Sequence, residues 1–221
     1  RPFNAVNSLM NEGAGTISAD GSLFVFTVCE LYGDYGNNRK GYGSCDLFYT
    51  QRIGDRWTEP ANLGSAVNTR NWETQPSLTA DGKTLYFVRG VSQGPNIREQ
   101  DIYVTQQVEP GVWSRPQRLP ETINTPYTEE SVMIHPDGKT LYFSSNGHPG
   151  LGGLDLFFSR KKDDGSWEVP TNLGYPINSG ADENSLLVDS KGQLAYFASD
   201  REGGSGGLDI YSFELPDDVK P

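Results

Sequence analysis

Cysteine, histidine and methionine are scarce in this chain of 221 residues, two of each. Two cysteines and two distant histidines do not make a zinc-ligand spacing, so no metal or other cofactor is expected. Basic residues are outnumbered, 18 Lys and Arg against 29 Asp and Glu, for a net charge of −11. That balance argues against a nucleic-acid surface and against a face for anionic membranes. No run of 18 apolar residues occurs, so no helical membrane insertion is expected. The opening Arg1-Pro2-Phe3-Asn4 is no signal peptide and reads as the interior of a longer polypeptide.

Glycine and proline are plentiful, at 26 and 14. Apolar content is only 35%, yet 11% of residues are aromatic, too many for a disordered chain. The length allows one domain or two small ones with a real core.

A repeat organises nearly all of it. Aligned on Phe26, Phe87, Phe143 and Phe197, the copies are spaced by 61, 56 and 54 residues. A glutamate lies fourteen residues before each phenylalanine: Glu12, Glu73, Glu129 and Glu183. A glycine lies five before each (Gly21, Gly82, Gly138, Gly192), preceded by Asp20, Asp81 and Asp137, with Lys191 in the fourth copy. A second aspartate column, Asp46, Asp101, Asp155 and Asp209, opens an apolar–aromatic pair. Trp57, Trp113 and Trp167 follow, each with proline three residues on, then leucine, then Asn68, Asn124 or Asn178.

Each copy reads as four strands. The first runs from the glutamate to the Asp-Gly hairpin turn, as in Thr74–Thr79. The Leu-Tyr-Phe run is the second, buried on both faces, and the DIYVT-like run is the third. The Trp-x-x-Pro segment is the fourth, an edge strand that tolerates proline. Residues Asn96–Val108 are long enough for a helix, but their alignment with the other copies makes them strand. Tandem four-stranded units without helices imply an all-β fold, a β-propeller of antiparallel four-stranded blades. The copies span about 9–69, 70–125, 126–179 and 180–215 of a single domain over 1–221, with 1–8 as the tail of an outer strand. That phase would let the N-terminus complete the last blade, or would follow from a preceding blade left off.

The order glutamate, DGKTLYFSSN (137–146), GGLDLF (152–157), then Trp-x-x-Pro-x-x-Leu resembles the WD40-like PD40 propeller repeat related to TolB. GSCDLF (43–48), NLGYPIN (172–178) and GGLDIYSFELP (206–216) are similar to a Bacteroidota group of OmpA-family outer-membrane lipoproteins, some serving type IX secretion. The resemblance implies a periplasmic, outer-membrane-associated parent, probed by other envelope proteins and joined to peptidoglycan through a flanking domain. An earlier, divergent blade in that group favours a five-bladed parent. The periplasm preserves disulfides. Cys29 ends a second strand and Cys45 opens the adjacent third, so the two are expected to bond across a 15-residue loop. Closing such a loop stabilises by about 3 kcal/mol.

Two channel-mouth glutamates would suit a glycosidase acid and nucleophile. Their presence in every copy points instead to blade architecture, and the second aspartate column is expected to accept N–H groups of the glycine-rich loops. Gly203–Asp209 misses the calcium nonapeptide by one position, the sialidase Asp-box fails, and neither a phosphate cradle nor G-x-S-x-G is present. Residues that break the repeat are the better interaction candidates: Trp72, Arg89, Glu130, His148 and Arg201, with Asp182 beside them. His135 is expected to be a turn residue and His148 an exposed one. Long loops at Leu31–Ser44 and Val91–Gln100 carry most of the length variation. The expected function is a non-enzymatic interaction platform. The alternatives are a carbohydrate-active or peptide-binding propeller and a passive spacer.

Overall fold

The computed structural model describes residues 6–93 and 96–221, and every regular element in them is a strand. The first copy contains β1 (Asn11–Ile17), β2 (Leu23–Cys29), β3 (Cys45–Ile53), β4 (Arg56–Trp57) and β5 (Ala61–Asn62). The second contains β6 (Trp72–Leu78), β7 (Thr84–Gln93), β8 (Asn96–Glu109), β9 (Val112–Trp113) and β10 (Gln117–Arg118). The third contains β11 (Glu129–Ile134), β12 (Thr140–Ser145), β13 (Asp155–Arg160) and β14 (Thr171–Asn172). The fourth contains β15 (Glu183–Val188), β16 (Leu194–Ser199) and β17 (Asp209–Glu214). Within each copy the strands pair antiparallel in chain order.

The chain divides into two compact units, Arg1–Arg118 and Leu119–Pro221. In the first, one parallel bridge between Cys45 and Trp72 joins the sheets of two copies. Its core packs Leu23, Val25 and Leu47 of one copy against Leu78, Leu85 and Phe87 of the next. In the second unit, Tyr142, Leu156 and Phe158 meet Leu186, Val188, Ala195 and Phe197 in the same way. The second strands of the middle copies are buried at their centres, as their aromatic composition requires: Leu85, Tyr86 and Phe87 are buried, and so are Leu141, Tyr142 and Phe143.

Three local features depart from expectation. The fourth strand is broken in two. Pro60 and Pro116 lie between β4 and β5 and between β9 and β10, because proline cannot donate to the ladder with the third strand. The turn after the first strand is a four-residue connection rather than a two-residue one. Gly21 donates to the Ser18 carbonyl (2.8 Å), and Ser18 N–H closes the loop on Leu23 O (2.9 Å). Only the glycine takes positive φ, 68° at Gly21, while Asp20 Oδ1 accepts Ser22 N–H at 2.9 Å. The Ser18 hydroxyl, followed by Ser22, holds the Asp20 carboxyl down at about 2. Where Lys191 replaces this aspartate, Asp189 caps instead, accepting Gln193 N–H (2.6 Å) and Leu194 N–H (3.0 Å). The Val91–Gln100 stretch is no open loop. It extends the β7–β8 hairpin, with Ser92 opposite Ile97 and Gln93 opposite Asn96; residues 94–95 lie outside the described residues. Of the outer-strand tail over 1–8, residues 1–5 also lie outside them, and Val6–Ser8 is not strand.

Every first strand carries a bulge two residues past its glutamate. Ala14, Gln75, Ser131 and Ser185 there have φ of 40°, 53°, 55° and 56°. A left-handed backbone costs an L-residue about 1–2 kcal/mol, so the frame absorbs that cost four times. Ser185 is exposed. Ser185→Gly is therefore expected to raise stability in urea by about 0.5–1 kcal/mol, the relieved strain less the added freedom of the unfolded chain. A loss of stability would show that the bulge is not strained.

Candidate functional site

The glutamate column is the structural centre of each copy. Glu73 accepts Thr69 N–H (2.9 Å) and Thr69 Oγ1–H (2.7 Å), four residues upstream. Thr69 Oγ1 accepts in turn from Asn71 N–H. Ser8 with Glu12, Thr125 with Glu129 and Ser179 with Glu183 repeat this strap. Glu73, Glu129 and Glu183 are fully buried. Burial pushes the Glu73 carboxyl up, against these hydrogen bonds and Arg89. Each carboxylate is thus occupied by its own strap.

Three candidates chosen for breaking the repeat instead form a column of their own. Arg89 Nε donates to Glu73 at 2.7 Å, its NH2 donates to Val67 O at 2.6 Å, and its guanidinium stacks on Phe87 and Tyr103. Arg201 donates to Glu183 at 3.1 Å and to the Ile177 carbonyl, and stacks on Phe197 and Tyr211. Arg39, passed over in the sequence, does the same with Glu12, Val6 O, Phe26 and Phe48. In the third copy His148 takes the place. Its Nε2 lies 2.8 Å from Ile123 O and its ring packs against Phe143 and Phe157; Ser145 Oγ donates to Glu129, a bond that Ser199 also makes to Glu183. His148 is therefore half-buried rather than exposed. These residues sit 13, 2, 5 and 4 positions after the aligning phenylalanine, which is why the register hid them.

The second aspartate column behaves as expected at three of four positions. Asp46 accepts Tyr42 and Gly43 N–H, Asp155 accepts Leu151 and Gly152 N–H, and Asp209 accepts Ser205 N–H. Asp101 has no glycine-rich loop before it and forms a two-pronged ion pair with Arg118, 2.7 Å at both oxygens. Arg118 occupies the position of Asn62, which donates to Asp46 at 2.7 Å. His135 is the expected turn residue: its Nδ1 accepts Asp137 N–H, and its Nε2 faces Asp189 O. Trp72 is half-buried at the sheet junction, opposite Cys45 and Gly90.

Two places remain outside these columns. In the first unit, Cys29 and Cys45 are bonded and face each other across β2 and β3. Between them runs an ordered loop. Leu31 bridges Asp34, Gly36 N–H meets Asp34 Oδ1 at 2.8 Å, and the buried Tyr35 donates to Gly43 O. Tyr32 projects from it, 98% exposed at φ 55°, and Leu31 and Tyr42 of the same loop are also exposed. In the second unit, Gly153, Ser179, Gly180, Ala181, Asp182, Asp200, Arg201 and Glu202 line a cleft of about 620 Å³. Asp200 Oδ1 accepts Asp182 N–H (2.9 Å), and Asp182 Oδ1 accepts Leu154 N–H (2.8 Å). Glu130 lies near enough to feel Asp182. Burial first, and that charge second, push its carboxyl up. Of the sequence candidates, the cleft brings together Asp182 and Arg201, Glu130 feels the Asp182 charge, and Trp72 and Arg89 belong to the other unit.

No family model matches the chain, and no curated protein matches it. Solved structures do. TolB from Acinetobacter baumannii superposes with a TM-score of 0.61 at 12% identity, over 96% of this chain and 43% of its own. Putative TolB from Agrobacterium tumefaciens gives 0.51 at 15%, over 98% and 81%. A Bacteroides ovatus xyloglucan-locus protein, GH43B, gives 0.55 at 13%, over 97% and 40%. The chain spans less than half the length of the first of these. The fold is that of a TolB-like propeller.

Removing Arg89 leaves Glu73 buried without its ion-pair partner. Arg89→Ala is expected to cost about 3 kcal/mol in urea unfolding, with much of it restored by adding Glu73→Gln. Equal losses in the single and double variants would refute the pairing. Glu130 has the opposite sign. Its folded-state carboxyl titrates above the unfolded one, so its charge costs stability above that window, and the cost disappears as pH falls below the unfolded value, about 4.3. Glu130→Gln should raise the melting temperature at pH 7 and leave it unchanged near pH 3.

Proposed function

We propose that this chain is a non-enzymatic interaction propeller, a four-blade segment of a five-bladed domain in a periplasmic, peptidoglycan-associated lipoprotein of the outer membrane. Its partners are other envelope proteins, and peptidoglycan is met through a flanking domain. The carrying observation is the Cys29–Cys45 loop, which holds Tyr32 fully exposed in a strained backbone conformation. A solvent-facing tyrosine has only two side-chain torsions to order on docking, and such side chains dominate interface energetics. The disulfide suits an oxidising compartment. The engagement of each repeated glutamate in its own strap supports a reading without catalysis.

A second reading, glycan or peptide binding, rests on the acidic cleft around Asp182 and Asp200. Here Arg201, beside the two acids, is tied to Glu183 and main-chain carbonyls, so the acids set the sign of the free charge.

Cross-linking in cells followed by co-purification separates the readings. Tyr32→Ala with Tyr42→Ala should reduce partner recovery at least about tenfold, the loss of one hot-spot residue, while leaving the melting curve unchanged. Unchanged recovery, together with loss of a bound glycan or peptide in Asp182→Asn, would move the function to the cleft. Full function after exchange of the propeller for an unrelated domain would leave only the spacer.

A further inference from the structure

Asparagine followed by glycine occurs once in the sequence, at Asn146-Gly147. The pair lies just past β12, and every group around it named below belongs to the Leu119–Pro221 unit. Three contacts converge there. Thr128 N–H donates to Asn146 Oδ1 at 3.0 Å. Gly147 N–H donates to Ser145 Oγ at 3.0 Å, with His148 N–H a more distant donor to the same oxygen at 3.4 Å. Ser145 Oγ–H in turn donates to Glu129 Oε1 at 2.8 Å. Ser145 and Glu129 are buried, whereas Asn146 is exposed. A Cβ at position 147 would collide with Thr125 Oγ1, so glycine is required there and its nitrogen stays unshielded.

These contacts are the parts of an intramolecular acyl transfer. The Gly147 nitrogen is the nucleophile, and its attack on Asn146 Cγ closes a five-membered ring. Ser145 Oγ has its own proton committed to Glu129, so it turns a lone pair to the Gly147 N–H and is placed to take that proton. Thr128 N–H points at Oδ1, the oxygen on which negative charge develops.

The fourth copy holds the same frame with the product already in place. Asp200 stands where Asn146 does, and its Oδ1 accepts Asp182 N–H at 2.9 Å. Ser199 Oγ donates to Glu183 at 2.9 Å and accepts Arg201 N–H at 3.2 Å, as Ser145 does with Glu129 and Gly147. An aspartate therefore fits this place in the repeat.

We infer that Asn146-Gly147 is a self-modification site, at which the folded chain converts Asn146 to aspartate or isoaspartate and releases ammonia. The Gly147 N–Cγ bond forms as the amide proton passes to Ser145 and the Ser145 proton to Glu129. The Cγ–Nδ2 bond then breaks. Nδ2 leaves as ammonia with a proton drawn from water on the exposed side, and Glu129 gives its proton back to solvent. Water opens the cyclic imide at one carbonyl to aspartate and at the other to isoaspartate, so each event adds one negative charge. The site shares no residue with the Tyr32 loop and stands whether or not that loop docks a partner.

The test is peptide mapping by mass spectrometry of the full chain, incubated at pH 8 both folded and in urea. Amide-to-acid conversion is expected at Asn146 ahead of every other asparagine. It is expected to run at least about tenfold faster folded than in urea, short of the full effect of a general base because the unfolded chain reaches the ring-closing geometry more freely. Ser145→Ala should abolish that advantage and leave the rate in urea unchanged, with a melting curve to verify that the variant is folded. Should it not fold, the folded-to-urea ratio of the parent protein decides alone. A folded-state rate no greater than that in urea, conversion spread evenly over the asparagines, or the full folded-state rate in folded Ser145→Ala would overturn the inference.

Discussion

The frame depends on a buried carboxylate held by a hydroxyl four residues before it. Placing a glutamate at near-zero exposure is costly unless its lone pairs are filled, and Ser8, Thr69, Thr125 and Ser179 fill two of them each. The same bonds pin the end of one copy to the first strand of the next. Position and solvation are solved together, which is why the pair recurs while neighbouring residues drift.

Around that anchor the copies exchange parts while keeping the interactions. A guanidinium serves at Arg39, Arg89 and Arg201, and an imidazole takes its place over the aromatic pair at His148. Asn62 with Asp46 becomes Arg118 with Asp101 where the glycine-rich loop gives way to a hairpin. Asp20 hands its turn-capping role to Asp189 in the copy where Lys191 follows. In each case the carboxylate keeps hydrogen-bond donors although the residues that supply them change. Function is therefore sought outside these interactions: at Tyr32 and in the cleft around Asp182 and Asp200.

Much of the frame was legible because it is periodic. The glutamate, glycine and aspartate columns sit at constant distances from one phenylalanine, and constant distance reflects constant strand length. The arginine–histidine column was illegible for the converse reason. Loops of different length separate it from the register, so Arg39 carries no periodic signal and His148 reads as an outlier. The bulge residues Ala14, Gln75, Ser131 and Ser185 gave no signal either, since none is the glycine that positive φ favours. At the candidate sites, Glu130, Asp182 and Arg201 stood out as departures, but nothing in their spacing joined them. The cleft brings Asp182 and Arg201 together from two strand ends.

By itself, the sequence determined the class of fold, the strand order within each copy, the cross-strand position of Cys29 and Cys45, and the structural duty of the repeated acids. These follow from local periodicity and from turn chemistry, which act between residues close in the chain. Tertiary structure alone decided which charges are neutralised, which apolar residues stay open, and which asparagine reaches which strand. Those outcomes depend on packing between segments tens of residues apart. Asp155 and Asp101 show the difference: they share one place in the repeat, yet one accepts the N–H groups of a glycine-rich loop and the other pairs with Arg118.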